Sequence, residues 1–379
     1  MKTTTKALAL LMAVAVVAFW AGDAAAFHDD GVAHCNGCHT MHNSENNATI
    51  ITGGTPGQGV SAYLLKTAKP TDTCLLCHAR AGSQNGYGVF GTGVLTPKPQ
   101  RGGGDYVFLL EDNLNEGHGG ATNPILGYQA GHNIVSDTKG ILADPVNTTA
   151  PGGTYPAASM ACSSCHDPHG TDEFRLLYGA NRLVRGNDGV TFTFTNPAPE
   201  AVGVALSGAG ESQTNHTAYL SGMSAWCGNC HGDFHANDAN LIHPSGTALG
   251  TIAGNYNAYD GTTDCVNNPG TAGGPCGTGT QTTAYLAEVP FEDPGMSTTS
   301  TEGPSASSRV MCLTCHRAHA TSAPNAGRWD FNVTLLDEDG TESGSYALPN
   351  PYDGNQRSLC NKCHSKDEFD HLPVAPVVP

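Results

Sequence analysis

The stretch Cys162-Ser-Ser-Cys165-His166-Asp-Pro-His169 decides how the rest of this 379-residue chain is read. Two cysteines separated by two residues, with a histidine directly after the second, form the attachment pattern for a haem c. The sulfurs make thioethers with the vinyl groups, and the adjacent histidine supplies the first iron ligand. Working outward, the pattern recurs at Cys35-Asn-Gly-Cys38-His39, Cys74-Leu-Leu-Cys77-His78, Cys227-Gly-Asn-Cys230-His231, Cys312-Leu-Thr-Cys315-His316 and Cys360-Asn-Lys-Cys363-His364. Six copies consume twelve of the fourteen cysteines, which excludes coincidence. The cofactor expectation is six covalently bound haems c. A zinc protein is a poor alternative, because paired cysteines that hold zinc need no histidine after every pair.

Composition agrees. Gly (48) and Pro (23) are abundant and charged residues make only 13% of the chain, so a conventional aliphatic core has little to set against chain entropy. Buried macrocycles would supply that core. The fold expectation is mostly coil with short helices and few short strands, organised around a stacked haem chain. Short helices are expected at Tyr219 to Cys230 and Arg357 to His364, and strands at Val190 to Thr195 and Arg328 to Leu336. Stretches such as Ile51 to Val60, Arg101 to Asp105 and Gly270 to Thr280 read as loops. The first cysteines fall at 35, 74, 162, 227, 312 and 360, too irregular for a tandem array of equal modules.

Lys2 and Lys6, the apolar stretch Ala7 to Trp20 and the small residues Ala24 to Ala26 read as a signal peptide over 1–26. A single hexahaem unit is expected over 27–379, secreted through the periplasm, with no membrane span. Net charge is −17, from 34 acids and 17 bases, and no basic patch stands out, so nucleic acid is excluded as a partner.

Each iron has a second axial position, and its occupant separates electron transfer from catalysis. Eleven of the 17 histidines lie outside the motifs, enough to cap every iron, whereas the methionines after residue 26 are too few. His42, His169 and His319 each stand three residues after a motif histidine, and His235 stands four after His231. One turn beyond the first ligand a side chain lies on the same side of that haem. If these four are ligands, each must cap a different haem, which would hold neighbouring haems together through one short segment. His132 and His243 sit in apolar-flanked turns suited to ligands, and His28 follows the cleavage site. His34, His118, His216 and His371 read as non-ligands. Irons with two imidazoles have no position for substrate, so the chain reads as an electron-transfer protein without catalytic residues. Cys265 and Cys276 are expected to form a disulfide, as an exported chain allows. Trp226, beside Cys227, is expected to pack on its haem.

The chain resembles the extracellular hexahaem nanowire cytochromes of the OmcS type. The resemblance is carried by Phe27-His28, Cys35 to Ser44, Gly131 to Val135, Ala150 to Ala157, Cys162 to Gly170, Met223 to His231, Thr251 to Tyr259, Cys312 to Ala320 and Leu359 to His364. It implies a head-to-tail homopolymer with every iron bis-histidine, serving redox partners and extracellular acceptors from a filament or the cell surface. It also implies that His42 caps the haem at Cys312, Cys315 and His316 of the next subunit. Seven histidines (His28, His42, His132, His169, His235, His243 and His319) match six positions, which leaves one surplus. The Cys265–Cys276 loop and the tail Leu372 to Pro379 depart from the family pattern. Two other readings of the residues stand beside the filament: a monomeric periplasmic shuttle, and a multihaem reductase with one open iron.

Overall fold

The computed structural model describes residues 35–40, 43–45, 48–49, 64–79, 88–90, 102–111, 114–118, 121–187, 191–204, 211–212, 214–235, 245–259, 277–296, 300–331, 359 and 361–364. The signal-peptide reading, His28, His34, His42, His243, His371, Cys265, Cys276 and Cys360 fall outside them.

Four motifs close one turn in which the histidine N–H returns to the first cysteine carbonyl. The bonds are His39 to Cys35 (2.8 Å), His166 to Cys162 (3.0 Å), His231 to Cys227 (3.1 Å) and His316 to Cys312 (2.9 Å). That turn brings two sulfurs and an imidazole to one side of the backbone. The helices are short: α1 (Cys35–Cys38), α2 (Pro70–His78), α3 (Met223–Cys227), α4 (Gly232–His235), α5 (Ile252–Ala258), α6 (Cys312–Cys315) and α7 (Asn361–His364). The nine-residue α2 starts with Pro70 in its first turn, where a missing N–H costs nothing. Its buried Asp72 accepts from the hydroxyls of Ser136 (2.5 Å) and Thr138 (2.7 Å) and from Asp137 N–H (3.1 Å), which anchors the second motif to the 136–138 turn.

Among the described residues the strands form four antiparallel pairs: β1 (Ser44–Glu45) with β2 (Ala48–Thr49), β3 (Leu114–His118) with β4 (Ala121–Ile125), β5 (Leu183–Arg185) with β6 (Thr191–Thr193), and β7 (Glu200–Val202) with β8 (Ala218–Ser221). The described residues are therefore mostly irregular backbone with short helices and strands, as the composition implies. Two local expectations fail. The expected helix from Tyr219 is strand β8 as far as Ser221, and α3 starts only after Gly222 turns the chain with φ 85°. The expected strand from Arg328 has no ladder over 328–331, because Arg328 N–H bonds Cys315 O (2.7 Å) and the segment braces the fifth motif.

Among the described residues the apolar side chains form four small clusters, and each includes motif cysteines. Leu75, Phe90, Tyr106, Phe108 and Ile134 pack with Cys162. Tyr256, Val289, Trp329 and Leu359 pack with Cys315 and Cys363. Tyr155, Tyr178 and Phe194 pack with Trp226 and Cys230, and Tyr219, Met223, Met311 and Leu313 pack with Cys227.

Candidate haem-binding centre

Three motifs share one backbone frame. In the third, Asp167 N–H bonds Leu176 O (2.7 Å) and Tyr178 N–H bonds Cys165 O (3.1 Å). In the fifth, Arg317 bonds Ala326 (2.8 Å) and Arg328 bonds Cys315 (2.7 Å). In the first, Thr40 bonds Leu64 (2.7 Å) and Lys66 bonds Cys38 (2.8 Å). Leu64, Leu176 and Ala326 all hold left-handed φ, at 56°, 56° and 54°. Non-glycine residues rarely adopt that region, so its recurrence at one place in three motifs marks a shared local fold. The return strand presents a carbonyl to the motif histidine: His166 Nδ1–H donates to Arg175 O (2.8 Å) and His316 Nδ1–H to Asn325 O (2.9 Å). A carbonyl can only accept, so Nε2 is the nitrogen left for a metal. In the fourth motif His231 Nδ1–H donates to Pro151 O (2.8 Å). Gly153 lies so close that a Cβ there would come within 1.7 Å of Cys230 O. The Ala150 to Ala157 segment is thus the cradle of the fourth histidine.

The expected second ligands His132 and His319 stand on neighbouring segments, joined by an isolated bridge between Gly131 and Ala320. His132 N–H donates to His319 O (2.9 Å), and His132 Nδ1–H to Ala318 O (2.6 Å). On the far side of Ala320 run three glycines, whose Gly102 and Gly103 carbonyls accept from Ala318 (3.1 Å) and His319 (2.7 Å). Side chains would not fit there: a Cβ on Gly104 or on Gly131 would lie 2.0 Å from the carbonyl oxygen of Ala320 or His319 respectively. The Arg101 to Asp105 stretch, read as a loop from its composition, thus acts in the described residues 102–105 as the clamp on His319. Gly-Gly-Gly is the sequence signal that this clamp offered.

The imidazoles then fall into pairs. Ring centroids of His39 and His169 are 6.2 Å apart, those of His166 and His319 6.3 Å, and those of His132 and His231 6.0 Å. Two imidazoles on one iron, each nitrogen about 2 Å from the metal, would put their ring centres about 6.3 Å apart. The donor spacing therefore fits an iron between each pair. His169 faces His39 and not its own motif's His166, and His319 faces His166 and not His316. Burial first, and then the facing imidazole, hold His132 down at about 4 and His319 at about 3. Both therefore stay neutral at ordinary pH, as metal ligation requires. Among the described residues no group of three or more His, Cys, Asp or Glu side chains converges as a nest for a bare metal ion, so the donors come in twos.

Of the other expected ligands, His235 ends α4. Two histidines read as non-ligands are also described, and of these His118 ends β3 in a hairpin. Both ring nitrogens of His216 face carbonyls, Thr217 O (3.1 Å) and Ser300 O (2.8 Å), which leaves none for iron. Trp226 packs on Phe194 at 5.7 Å and donates its indole N–H to Tyr178 O (2.9 Å), beside Cys227 and Cys230.

Consecutive motifs are neighbours in space. Burial, and after it Cys74 and Cys77, pushes the Cys38 thiol up. A hydrogen bond with Cys162 leads the causes that raise Cys74. Burial and then Cys230 push Cys165 up to about 12. A bond between Cys227 and Cys312 raises the first well above its ordinary value and lowers the second to about 7. Cys315 and Cys363 touch one apolar cluster. With haem attached these sulfurs are thioethers and carry no proton, so the shifts report proximity only. Along this path runs a continuous cavity of about 2170 Å³, lined by cysteines of the second to sixth motifs and by His132, His169 and His319. A site for one small molecule usually measures about 300–1,000 Å³. Near the fifth motif the buried Arg328 donates Nε–H to Leu313 O (2.5 Å) and His316 O (3.2 Å), while burial and then Arg317 pull its pKa down to about 9.

Residues 155–185 match the family model described as a doubled CXXCH motif. The C-type cytochrome OmcS of Geobacter sulfurreducens is 33% identical, with 95% of this chain and 99% of that protein covered. The outer membrane cytochrome S filament of the same organism superposes with a TM-score of 0.70 at 30% identity, over 89% of this chain and 99% of that one. The cryo-EM structure of OmcS nanowires gives 0.71 at 31% identity, over 90% and 100%.

Proposed function

The chain belongs to the OmcS family of c-type cytochromes, and we propose that it is a secreted hexahaem member that polymerises head to tail and conducts electrons to extracellular acceptors. Haem supplies one-electron chemistry at its iron; the residues of the chain fix, space and saturate each iron. The observation that carries this reading is the set of three imidazole pairs at 6.0–6.3 Å, five of whose six rings line one cavity. Cys35/Cys38, Cys74/Cys77, Cys162/Cys165, Cys227/Cys230, Cys312/Cys315 and Cys360/Cys363 hold the macrocycles. His39 with His169, His166 with His319, and His231 with His132 ligate three irons. That leaves His78, His316 and His364 for the remaining irons and His28, His42, His235 and His243 as their caps. The surplus histidine is therefore one of those four.

Saturated iron leaves no position for a substrate, which favours conduction over catalysis. His42 is assigned across the subunit boundary, to the iron of His316 in the next copy. Such a contact repeats without closing and generates a filament. Residues 27–379 act as one unit after removal of 1–26, and among the described residues no helix is long and apolar enough to cross a membrane. Electron microscopy of secreted protein tests the proposal. Filaments are expected from the parent chain, and dispersed particles carrying six haems from His42→Ala. Dispersed parent protein would favour a monomeric shuttle, and filaments from the variant would remove His42 from its role.

A further inference from the structure

The histidine pairs differ in the hydrogen bonds their Nδ1 atoms make. His132 and His231 both donate Nδ1–H to a backbone carbonyl, at 2.6 Å and 2.8 Å. In the pair of His166 and His319 only His166 does so, at 2.8 Å. His319 Nδ1 is buried with no hydrogen-bond partner. The geometry keeps it so. Tyr106 stacks on the ring with centroids 4.6 Å apart and planes 21° apart. Gly103 closes the other side, where even a Cβ would lie 2.8 Å from Nδ1. The nearby Ala318 carbonyl is taken by His132. The backbone bond from His319 N–H to Gly103 O (2.7 Å) fixes the ring's origin.

We propose that the iron held by His166 and His319 is reduced more easily than the iron held by His132 and His231. This rests on the bis-histidine reading above. A ligated imidazole that donates Nδ1–H to a carbonyl gains anionic character and becomes a stronger donor through Nε2, which favours ferric iron. Two such donors act on one iron and one on the other. The step concerned is the reduction of ferric to ferrous iron by one electron from the neighbouring haem, with no bond made or broken. The haem of the third motif is then an electron-holding position beside the fourth, and Tyr106 is a positioning residue that keeps His319 from finding an acceptor.

The test is a spectroelectrochemical titration of the fully loaded protein and of His319→Met and His132→Met. Methionine raises the potential of the iron it binds, so each variant moves one wave upward and thereby labels it. The wave moved in His319→Met is expected to start above the wave moved in His132→Met. Coincident or reversed starting points would overturn the proposal. If near-infrared magnetic circular dichroism shows six bis-histidine irons unchanged in both variants, the pairing has failed, and the proposal with it. Should either variant not load haem, Tyr106→Leu keeps every ligand and lets water reach His319 Nδ1. One wave is then expected to move down, and no shift or an upward shift overturns the proposal.

Discussion

Residues 161–178 and 311–328 carry the same frame and put it to different uses. Both close the motif turn, return through a left-handed pair (Arg175 and Leu176, Asn325 and Ala326) and offer a carbonyl to the motif histidine. Both place another histidine three residues on. His169, with its side chain 79% exposed, stands near the Asp167 carboxylate and faces His39. His319 lies under Tyr106 between the 102–104 and 130–132 segments and faces His166. The frame turns a histidine toward the motif histidine of another segment, and what the rest of the chain lays over it decides its surroundings.

The largest break of this comparison is expected from glycine. Gly104→Ala puts a Cβ against Ala320 O at φ +77°, whereas Gly170→Ala, at φ +90°, meets nothing within 4 Å. The first should cost about 3 kcal/mol or more through clash and strain, and the second about 1 kcal/mol through strain alone. Thermal unfolding of the loaded protein reads both, and equal costs would mean that the glycine clamp carries no weight.

His169→Ala and His319→Ala sharpen the comparison next. Each should yield one five-coordinate, carbon monoxide-binding iron. In His169→Ala that iron should be the haem at Cys35 and Cys38, so adding Cys35→Ser and Cys38→Ser should remove the carbon monoxide signal. A signal that persists would mean that His169 caps some other haem.

A smaller, spectroscopic difference concerns ring planes. His39 and His169 are nearly parallel at 8°, and His166 and His319 cross at 63°. Parallel imidazoles split the iron dπ pair and crossed ones leave it closer to degenerate. The first pair should therefore give a more rhombic low-spin resonance than the second, which the same cysteine variants can assign by subtraction. The smallest effect is expected at Ala326, where Ala326→Gly relieves a left-handed φ of 54° and should stabilise by about 1 kcal/mol or less in denaturant titration.

The cysteines and motif histidines were legible because thioether attachment needs a fixed local spacing. His42, His169 and His319 were visible as candidates for the same reason, since a residue three after the motif histidine cannot reach across its own haem. Which imidazole His169 and His319 each face was not legible, because that depends on contacts between segments far apart in the chain, such as 102–104 with 318–320. The same holds for Pro151, Arg175 and Asn325, which act through backbone carbonyls and leave no side-chain signature. The expected helix from Tyr219 failed at Gly222, whose left-handed turn satisfies β8 and α3 together. Secondary structure was legible only as scarcity, from the weight of Gly and Pro.

Conduction along this chain depends on every iron being closed by two imidazoles. Near-infrared magnetic circular dichroism of the purified ferric protein, quantified against its covalently bound haem, tests it most directly. Six low-spin irons per chain are expected, all with bis-histidine charge-transfer bands and none responding to carbon monoxide on reduction. One methionine-ligated or high-spin iron in the intact protein would contradict it.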